Sequence, residues 1–379
     1  MSTPLLDALR FIRGSVRPTS PLRTREVVIP IREGPESTPA SLVEADGPGP
    51  RPGWVVLHGL TRPGRHHPSL VRFVEALAAA GGRVLVPEIT PWRELDFAPG
   101  FAQRVIGSTV RRLADDPGSE PGGVTLLGFS FGVPQALHAA SDPELQGALR
   151  GVVGWGGYSD LGRTFRFQFL GQHQWEDREL YLRPDPYGRW VVGANSLRLE
   201  LGLGDTVPVA DALRRLATAA GDRQVAAWDQ SFRSLQRHQR RMLPPRMRSL
   251  YDLFVPPEGQ EPERAAVDEL LARLVPMTRE AIPLLDPIRF VERIPLPVRL
   301  LHPREDHLIP FTETLALARR LEGRSPDVTA EILGLLGHSG RGSSEGISGW
   351  PREGLAFLRA LTGVFEIGGS VRSRSGPRA

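Results

Sequence analysis

The sequence contains no cysteine and no lysine. The lack of cysteine excludes disulfide bonds, thiolate metal sites and a cysteine nucleophile. The lack of lysine means that all 47 basic residues are arginines, and they stand against 43 acidic residues, for a formal net charge of +4. Acidic residues are interspersed among these arginines along most of the chain. A concentrated basic face is therefore not expected, and nucleic acid is not predicted as a partner.

Long apolar runs are also missing from the sequence. No run approaches the ~20 residues needed to cross a bilayer, so no transmembrane segment is predicted. Near the N-terminus, Arg10 and Arg13 interrupt the apolar pattern, which argues against a signal-peptide core and predicts a cytoplasmic protein. Apolar residues recur at helical spacing within residues 1–20, which predicts an amphipathic helix. Packing on the protein body is favoured for this helix over binding to a membrane surface.

Strand patterns and helix patterns alternate over most of the chain. Two strand-like runs at 26–31 and 40–44 predict an antiparallel opening hairpin. Short apolar strands then alternate with helical stripes from Trp54 to Trp155, and the alternation resumes at Val298. This pattern predicts an α/β fold with a mostly parallel central sheet flanked by helices.

The alternation stops between residues 158 and 294. Aromatic-rich loops and helical patterns at 205–220, 222–243 and 264–274 replace it there. We interpret residues 158–294 as an inserted, mainly helical cap within a core made of residues 21–157 and 295–366. Residues 367–379 have little apolar content and are predicted to form a disordered tail.

One motif points to nucleophilic catalysis. Gly128-Phe129-Ser130-Phe131-Gly132 lies between a predicted strand at 124–129 and a predicted helix, where a G-x-S-x-G run forms a sharp turn that presents its serine. Side chains at the two glycine positions would collide with the neighbouring strand and helix. Ser130 is therefore the predicted nucleophile.

A serine hydroxyl needs a base to accept its proton, and the base needs a carboxylate to fix its tautomer. Asp306 follows the predicted strand at 298–302, and His338 follows the predicted strand at 328–333. The order Ser130, Asp306, His338 is the order nucleophile, acid, histidine. Parallel strands end at one edge of a sheet, so the three residues are predicted to converge there.

Three other residues near Asp306 are alternatives for the same roles. Glu305 is the alternative acid, but its side chain is expected to point in another direction from that of Asp306. His302 and His307 are alternative bases, and both are expected to make local hydrogen bonds instead.

The oxyanion of a tetrahedral intermediate requires two hydrogen-bond donors, and backbone amides suit this role. The amide of Phe131, directly after the nucleophile, is the first predicted donor. The second is predicted in the loop His58-Gly59-Leu60-Thr61, which follows the first buried strand, with Leu60 favoured.

With these residues placed, the chain resembles the α/β-hydrolase superfamily of serine esterases, lipases and related acyl hydrolases over residues 27–158 and 295–361. The resemblance implies an eight-stranded, mostly parallel sheet and an acyl-enzyme mechanism without a cofactor or a metal. It rests on four motifs: Leu57-His58-Gly59, Gly128-Phe129-Ser130-Phe131-Gly132, the Asp306 loop ending in Pro310, and Gly337-His338.

The sequence thus predicts a serine hydrolase that acts on a small-molecule carboxylic ester. A thioesterase or an acyltransferase with the same triad remains open, as does a non-catalytic binding protein of the same fold. Aromatic residues cluster at 158–190, and among them Tyr158 and Trp175 are predicted to contact the substrate. Packing of the cap against the core is the equal alternative for this cluster.

An arginine cluster lies at 233–248 and has two interpretations. Such a cluster is capable of binding an anionic group of the substrate, although a solvated helix face is the more common explanation. Its members are Arg233, Arg237, Arg240, Arg241, Arg246 and Arg248.

Overall fold

The computed structural model describes residues 3–16, 21–32, 34–199, 204–334 and 350–369. The strands among these residues are β1 (Leu22–Pro30), β2 (Ser37–Ala45), β3 (Gly53–Leu57), β4 (Arg83–Pro87), β5 (Val124–Phe129), β6 (Leu149–Trp155), β7 (Gln172–Trp175), β8 (Arg178–Tyr181), β9 (Val298–Pro303) and β10 (Val328–Leu333). The helices are α1 (Pro4–Val16), α2 (Pro68–Ala79), α3 (Thr90–Arg93), α4 (Pro99–Ala114), α5 (Gly132–Ser141), α6 (Pro143–Gln146), α7 (Leu161–Leu170), α8 (Pro186–Ser196), α9 (Val207–Arg223), α10 (Arg233–Met242), α11 (Arg248–Phe254), α12 (Arg264–Ala281), α13 (Phe311–Leu321) and α14 (Trp350–Gly368).

Eight of these strands form the central sheet, in the order β1-β2-β4-β3-β5-β6-β9-β10. The pairs β1 with β2 and β2 with β4 are antiparallel, and the remaining pairs are parallel. Strands β3, β4 and β9 are buried along their whole length, as expected for parallel strands covered on both faces. The predicted fold class and the opening hairpin are confirmed.

Helices cover the sheet on both faces because successive strand side chains point to opposite sides. In β3, Val55 and Leu57 pack into the layer that contains α4, α5 and α13. Trp54 and Val56 pack into the layer that contains α1, α2 and α14. The period-two alternation of β3 therefore supplies both halves of the core.

Helix α1 packs on the second of these layers. Phe11 meets the ring of Phe73 in α2 at 5.0 Å and the ring of Phe365 in α14 at 6.1 Å, edge to face. Packing on the body, the favoured interpretation, is confirmed. Among the described residues, no helix combines the length and apolar character needed to span a membrane.

Residues 158–294, called the insert below, add no strand to the central sheet among their described positions. The insert holds helices α7 to α12 and a hairpin of β7 and β8 that the sequence did not predict. The prediction of one continuous helix over 222–243 is wrong, although α10 covers Arg233–Met242 of that range. Helix α9 ends at Arg223 because Gln224 adopts a left-handed conformation, with φ of +52°, and Asp229 then caps a short turn before α10.

The C-terminal boundary also differs from the prediction. Helix α14 continues to Gly368, so residues 367 and 368 belong to it and not to a tail. Ile367 packs with the layer of α1 and α2, and this apolar contact carries the helix past the expected end. Residues 370–379 lie outside the described part of the chain.

Candidate active site

Ser130 lies on a sharp turn between β5 and α5. Its backbone φ is +50°, in the left-handed region that a side chain other than glycine seldom adopts. The amide of Ser130 donates to the carbonyl oxygen of Trp155 at 2.8 Å, and the amide of Val133 donates to that of Ser130 at 3.0 Å. These hydrogen bonds hold the strained residue at the end of the sheet.

The flanking glycines have the steric role that the motif predicts. A Cβ atom at Gly128 would lie 2.4 Å from the carbonyl oxygen of Gly132, a contact that real structures exclude. A Cβ atom at Gly132 would lie 3.0 Å from the carbonyl oxygen of His58. The strand, the helix and the His58 loop therefore approach one another closely only because both positions are glycine.

The two phenylalanines beside the serine point into opposite layers of the core. Phe129 packs edge to face on Phe73, at 4.9 Å between ring centroids. Phe131 stacks on Phe97 at 5.3 Å and meets Trp92 edge to face at 5.3 Å. Both rings anchor the turn, and Phe131 carries the first predicted oxyanion amide.

The loop after β3 faces the serine directly. A Cβ atom at Gly59 would lie 3.4 Å from Cβ of Ser130 and 3.9 Å from its Oγ. The buried ring of His58 donates from Nδ1 to the carbonyl oxygen of Gly59 at 2.8 Å, because a carbonyl oxygen only accepts. The structure thus brings the predicted oxyanion loop and the predicted nucleophile together.

A buried glutamate lies against this loop and was missed in the sequence. Oε1 of Glu88 lies 3.2 Å from Nε2 of His58, and the amide of Ile89 lies at the same distance from that nitrogen. Gly64 leaves the space for Glu88, since a Cβ atom there would lie 2.4 Å from Oε1. A lone glutamate after strand β4 carries no sequence signal for such a role.

Asp306 is buried in the loop after β9. Its Oδ1 accepts from the amides of Leu308 at 2.8 Å and Ile309 at 3.1 Å, which fixes the carboxylate. Glu305 beside it is exposed, so the two side chains do point in different directions, as expected. Phe129 of β5 and Leu301 of β9 align with the same residue of β6, so Ser130 and Asp306 both follow strands that end at one edge of the sheet.

His302 engages both ring nitrogens in hydrogen bonds to residues 309 and 314, as predicted, whereas His307 bonds to the insert and not locally. Nδ1 of His302 pairs with Oγ1 of Thr314 at 2.7 Å, and its Nε2 lies 2.9 Å from the carbonyl oxygen of Ile309. Nδ1 of His307 donates to the carbonyl oxygen of Arg183 at 2.7 Å. His338, the predicted base, lies outside the described residues.

The two residues predicted to contact substrate have other partners. The hydroxyl of Tyr158 donates to the carbonyl oxygen of Leu285 at 2.8 Å, and burial raises its pKa well above the usual range. Trp175 lies in β7, where the guanidinium of Arg319 stacks 4.5 Å above its ring. A substrate contact at either residue remains a prediction.

Most rings of the aromatic cluster at 158–190 are buried within the protein. Phe169 packs on Phe254 at 5.0 Å, and Trp190 packs on Phe232 at 6.3 Å. Both contacts join rings within the insert, so they show packing inside it, and packing of the cap against the core remains a prediction for these rings. None of these rings lines the cleft of about 470 Å³, whose walls carry charges of both signs: Glu94, Asp96, Phe97, Asn195, Arg198, Arg214 and Ile282.

The arginine cluster is partly engaged within the insert. Arg240 makes two hydrogen bonds of 2.7 Å to the carboxylate of Asp252, and Arg233 pairs with Glu258. Arg248 donates to the carbonyl oxygens of Leu243 and Arg241. Three of the six arginines therefore have structural contacts within the insert.

The sheet, with a strained serine on the turn after a central strand, defines the α/β-hydrolase fold. Comparison with solved structures leads to the same fold. The acylaminoacyl peptidase of Pyrococcus horikoshii is similar over 95% of this chain, with a TM-score of 0.52 and 10% sequence identity. The chain spans 44% of the length of that peptidase. The chain therefore has the α/β-hydrolase fold.

Two esterases are also similar in structure. Brefeldin A esterase, a bacterial homologue of human hormone sensitive lipase, matches 97% of this chain and 86% of its own, with a TM-score of 0.49 and 17% identity. An esterase of Pyrococcus furiosus matches 89% of this chain and 90% of its own, with a TM-score of 0.43 and 13% identity. No protein-family model and no curated protein matches the sequence.

Proposed function

We propose that this protein is a serine hydrolase that cleaves a carboxylic ester through an acyl-enzyme intermediate. The observation that carries the proposal is the left-handed Ser130, with φ of +50°, in contact with the Gly59 loop. Backbone strain of this kind persists where the surrounding structure enforces it, and it is concentrated at functional sites. The likeness in fold to a peptidase supports acyl-group chemistry.

In the proposed reaction, Oγ of Ser130 attacks the ester carbonyl carbon while its proton passes to His338. The carboxylate of Asp306 holds the imidazole and stabilises the imidazolium that forms. The amides of Phe131 and Leu60 donate to the oxyanion of the tetrahedral intermediate. The intermediate then collapses, and His338 returns the proton to the departing alcohol. Water attacks the acyl-enzyme by the same steps and releases the acid.

The insert is proposed to act as a cap over this site, which admits a small-molecule ester. Its residues contact both functional loops. The amide of Asp185 donates to the carbonyl oxygen of His307 at 2.7 Å, next to the proposed acid, and the hydroxyl of Tyr187 donates to that of Leu60 at 3.1 Å. Substrate that reaches Ser130 therefore passes beside the insert.

Thioester hydrolysis and acyl transfer share the acyl-enzyme step, so the same residues would serve them. A non-catalytic binding protein is the candidate from a different class. The strained Ser130 favours an enzyme over such a protein, because backbone strain of this kind is concentrated at functional sites. Measured turnover of an ester distinguishes an enzyme from a binding protein directly.

The test is hydrolysis of p-nitrophenyl esters of increasing acyl chain length by the full chain. Ser130→Ala is expected to lower kcat/KM by at least about a thousandfold, since the nucleophile is removed. Asp306→Asn and His338→Ala are expected to show losses of similar order. Ser234→Ala, an exposed serine of α10, is the matched control and should retain wild-type rates. Wild-type rates in Ser130→Ala would refute the proposal.

A further inference from the structure

A short segment of the insert connects the two loops that the proposed site requires. This bridging segment, residues 183–187, contacts the acid loop twice. The amide of Asp185 donates to the carbonyl oxygen of His307, and Nδ1 of His307 donates to that of Arg183, both at 2.7 Å. Two reciprocal hydrogen bonds therefore join the bridging segment to the residue that follows Asp306.

The other end of the bridging segment reaches the oxyanion loop. The side chain of Asp185 caps α8 by accepting from the amide of Tyr187 at 2.9 Å, and it also accepts from the amide of Ala227 at 3.1 Å. Tyr187 is thereby fixed in the first turn of the helix. Its hydroxyl donates to the carbonyl oxygen of Leu60 at 3.1 Å, across a junction between the insert and the core.

The hydroxyl of Tyr187 is a permanent donor in this position. Burial raises the pKa of its phenol well above the usual value of 10.0, and the nearby carboxylate of Asp185 acts in the same direction. The phenol is therefore protonated at neutral pH and is able to donate to Leu60.

The direction of the Leu60 amide is determined by the peptide groups on either side of it. The Leu60 N–H and the Gly59 carbonyl belong to one trans peptide and point in opposite directions. His58 binds that carbonyl at 2.8 Å, and Tyr187 binds the carbonyl of the next peptide at 3.1 Å. With both peptides held, the Leu60 N–H has a single orientation.

A second contact between insert and core holds the same loop. Nε of Arg62 donates to Oδ1 of Asp222 in α9 at 2.8 Å, and its Nη1 donates to the carbonyl oxygen of Arg93 at 2.7 Å. Gly221 allows this approach, since a Cβ atom there would lie 2.5 Å from Cγ of Arg62. Arg62, two residues after Leu60, therefore fixes the loop without any contribution from Tyr187. The local position of Leu60 itself is then set by its hydrogen bond with Tyr187.

We infer that Tyr187 is a positioning residue for the oxyanion amide of Leu60, so that the insert completes the catalytic geometry of the core. The inference rests on the proposed function, because it assigns Tyr187 a role through that amide. Donors to an oxyanion act on the transition state more strongly than on the bound ester. Loss of the Tyr187 hydroxyl should thus affect kcat and leave KM nearly unchanged.

The test compares Tyr187→Phe with Tyr181→Phe, a matched control in β8 whose ring is 63% exposed. Tyr187→Phe is expected to lower kcat about fivefold to tenfold, with KM within about twofold of the wild-type value. The inhibition constant of a boronic acid, whose adduct with Ser130 is tetrahedral, should rise by the same factor. Tyr181→Phe should change none of these values.

Thermal midpoints of both variants are recorded, and all kinetics are measured below the lower midpoint. Incorporation of p-aminophenylalanine at position 187 retains a donor and should restore kcat to within about twofold of wild type. This variant keeps the inference testable even if Tyr187→Phe folds poorly. Rescue by the amino group is not expected if the ring of Tyr187 only supports the fold.

Three results would overturn the inference: kcat unchanged in Tyr187→Phe, boronic acid affinity unchanged, or an equal loss in Tyr181→Phe. The Ser130→Ala variant distinguishes failure of the inference about Tyr187 from failure of the proposed function. If Ser130→Ala is inactive while Tyr187→Phe retains the wild-type kcat, only the role of Tyr187 is wrong. If Ser130→Ala retains activity, the proposed hydrolase mechanism itself is wrong.

Discussion

The central sheet and the junction between insert and core are stabilised by different interactions. In the sheet, apolar strand residues such as Val55, Leu126 and Val152 are completely buried between helices. At the junction, buried carboxylates accept hydrogen bonds from the partner region. Apolar burial contributes in proportion to the area removed from water, whereas removal of a buried carboxylate leaves each of its buried donors without an acceptor. The junction should therefore be the more sensitive region to single substitutions.

Glu313 of α13 is the centre of the junction. Its Oε2 accepts from the amide of Ser159 at 3.1 Å, from the hydroxyl of the same residue at 2.8 Å and from the amide of Asp160 at 2.9 Å. Arg163 of α7 pairs with its Oε1 at 2.7 Å. The start of the insert is thus attached to the helix that follows the proposed acid loop.

Two further ion pairs, both made by Arg279, extend the junction into α12. Arg279 donates to the carboxylates of Asp160 at 2.7 Å and Asp286 at 2.6 Å. Burial raises the pKa of Asp286, and the amide of Leu161 and Arg279 oppose that shift. Both ends of the insert therefore meet at one hydrogen-bonded group next to the sheet.

The largest effect on stability is expected from Glu313→Ala. The substitution leaves the buried donors of Ser159 and Asp160 without their acceptor, and it should lower the free energy of unfolding by about 3 kcal/mol. Arg163 contributes little to this value because its side chain is half exposed. Urea denaturation measures the change.

The control for this variant is Glu322→Ala, an exposed residue directly after the end of α13. It should alter the free energy of unfolding by less than about 0.5 kcal/mol. Equal losses in Glu313→Ala and Glu322→Ala would contradict the view that the junction depends on buried carboxylates.

The next largest effect is expected in the core, from Gly128→Ala. The added methyl group would meet backbone atoms of Gly132 that cannot move without displacing the serine turn. We expect a loss of about 2 kcal/mol in unfolding free energy, together with a lower kcat. Gly100→Ala in α4 faces open space and should instead be neutral or stabilising by up to about 1 kcal/mol. Full activity in Gly128→Ala would show that the turn is less constrained than its geometry indicates.

The smallest effect is expected for the arginines of α10. Arg240→Ala removes a partly exposed pair with Asp252 and should cost about 0.5 kcal/mol, while Arg241→Ala should have almost no effect on stability.

The same variants test whether the arginine cluster binds an anionic substrate group. If both variants keep the wild-type ratio of rates on anionic and neutral esters, that role is excluded.

The contrast between the two regions also explains what the sequence was able to predict. Strands β5 and β10 were predicted with the observed bounds because period and apolar content are local properties. Ser130 and the Gly59 loop were identifiable since steric demand selects glycine at particular positions. Tyr187 and Glu313 were not, because their partners Leu60 and Ser159 lie more than a hundred residues away and neither contact has a local pattern.

The most direct test of the proposed hydrolase mechanism is peptide mapping of the folded protein after reaction with a fluorophosphonate. The proposed mechanism predicts a single adduct on Ser130, formed at a rate that His338→Ala lowers by orders of magnitude. No adduct at Ser130, or an equal labelling rate in His338→Ala, would contradict it.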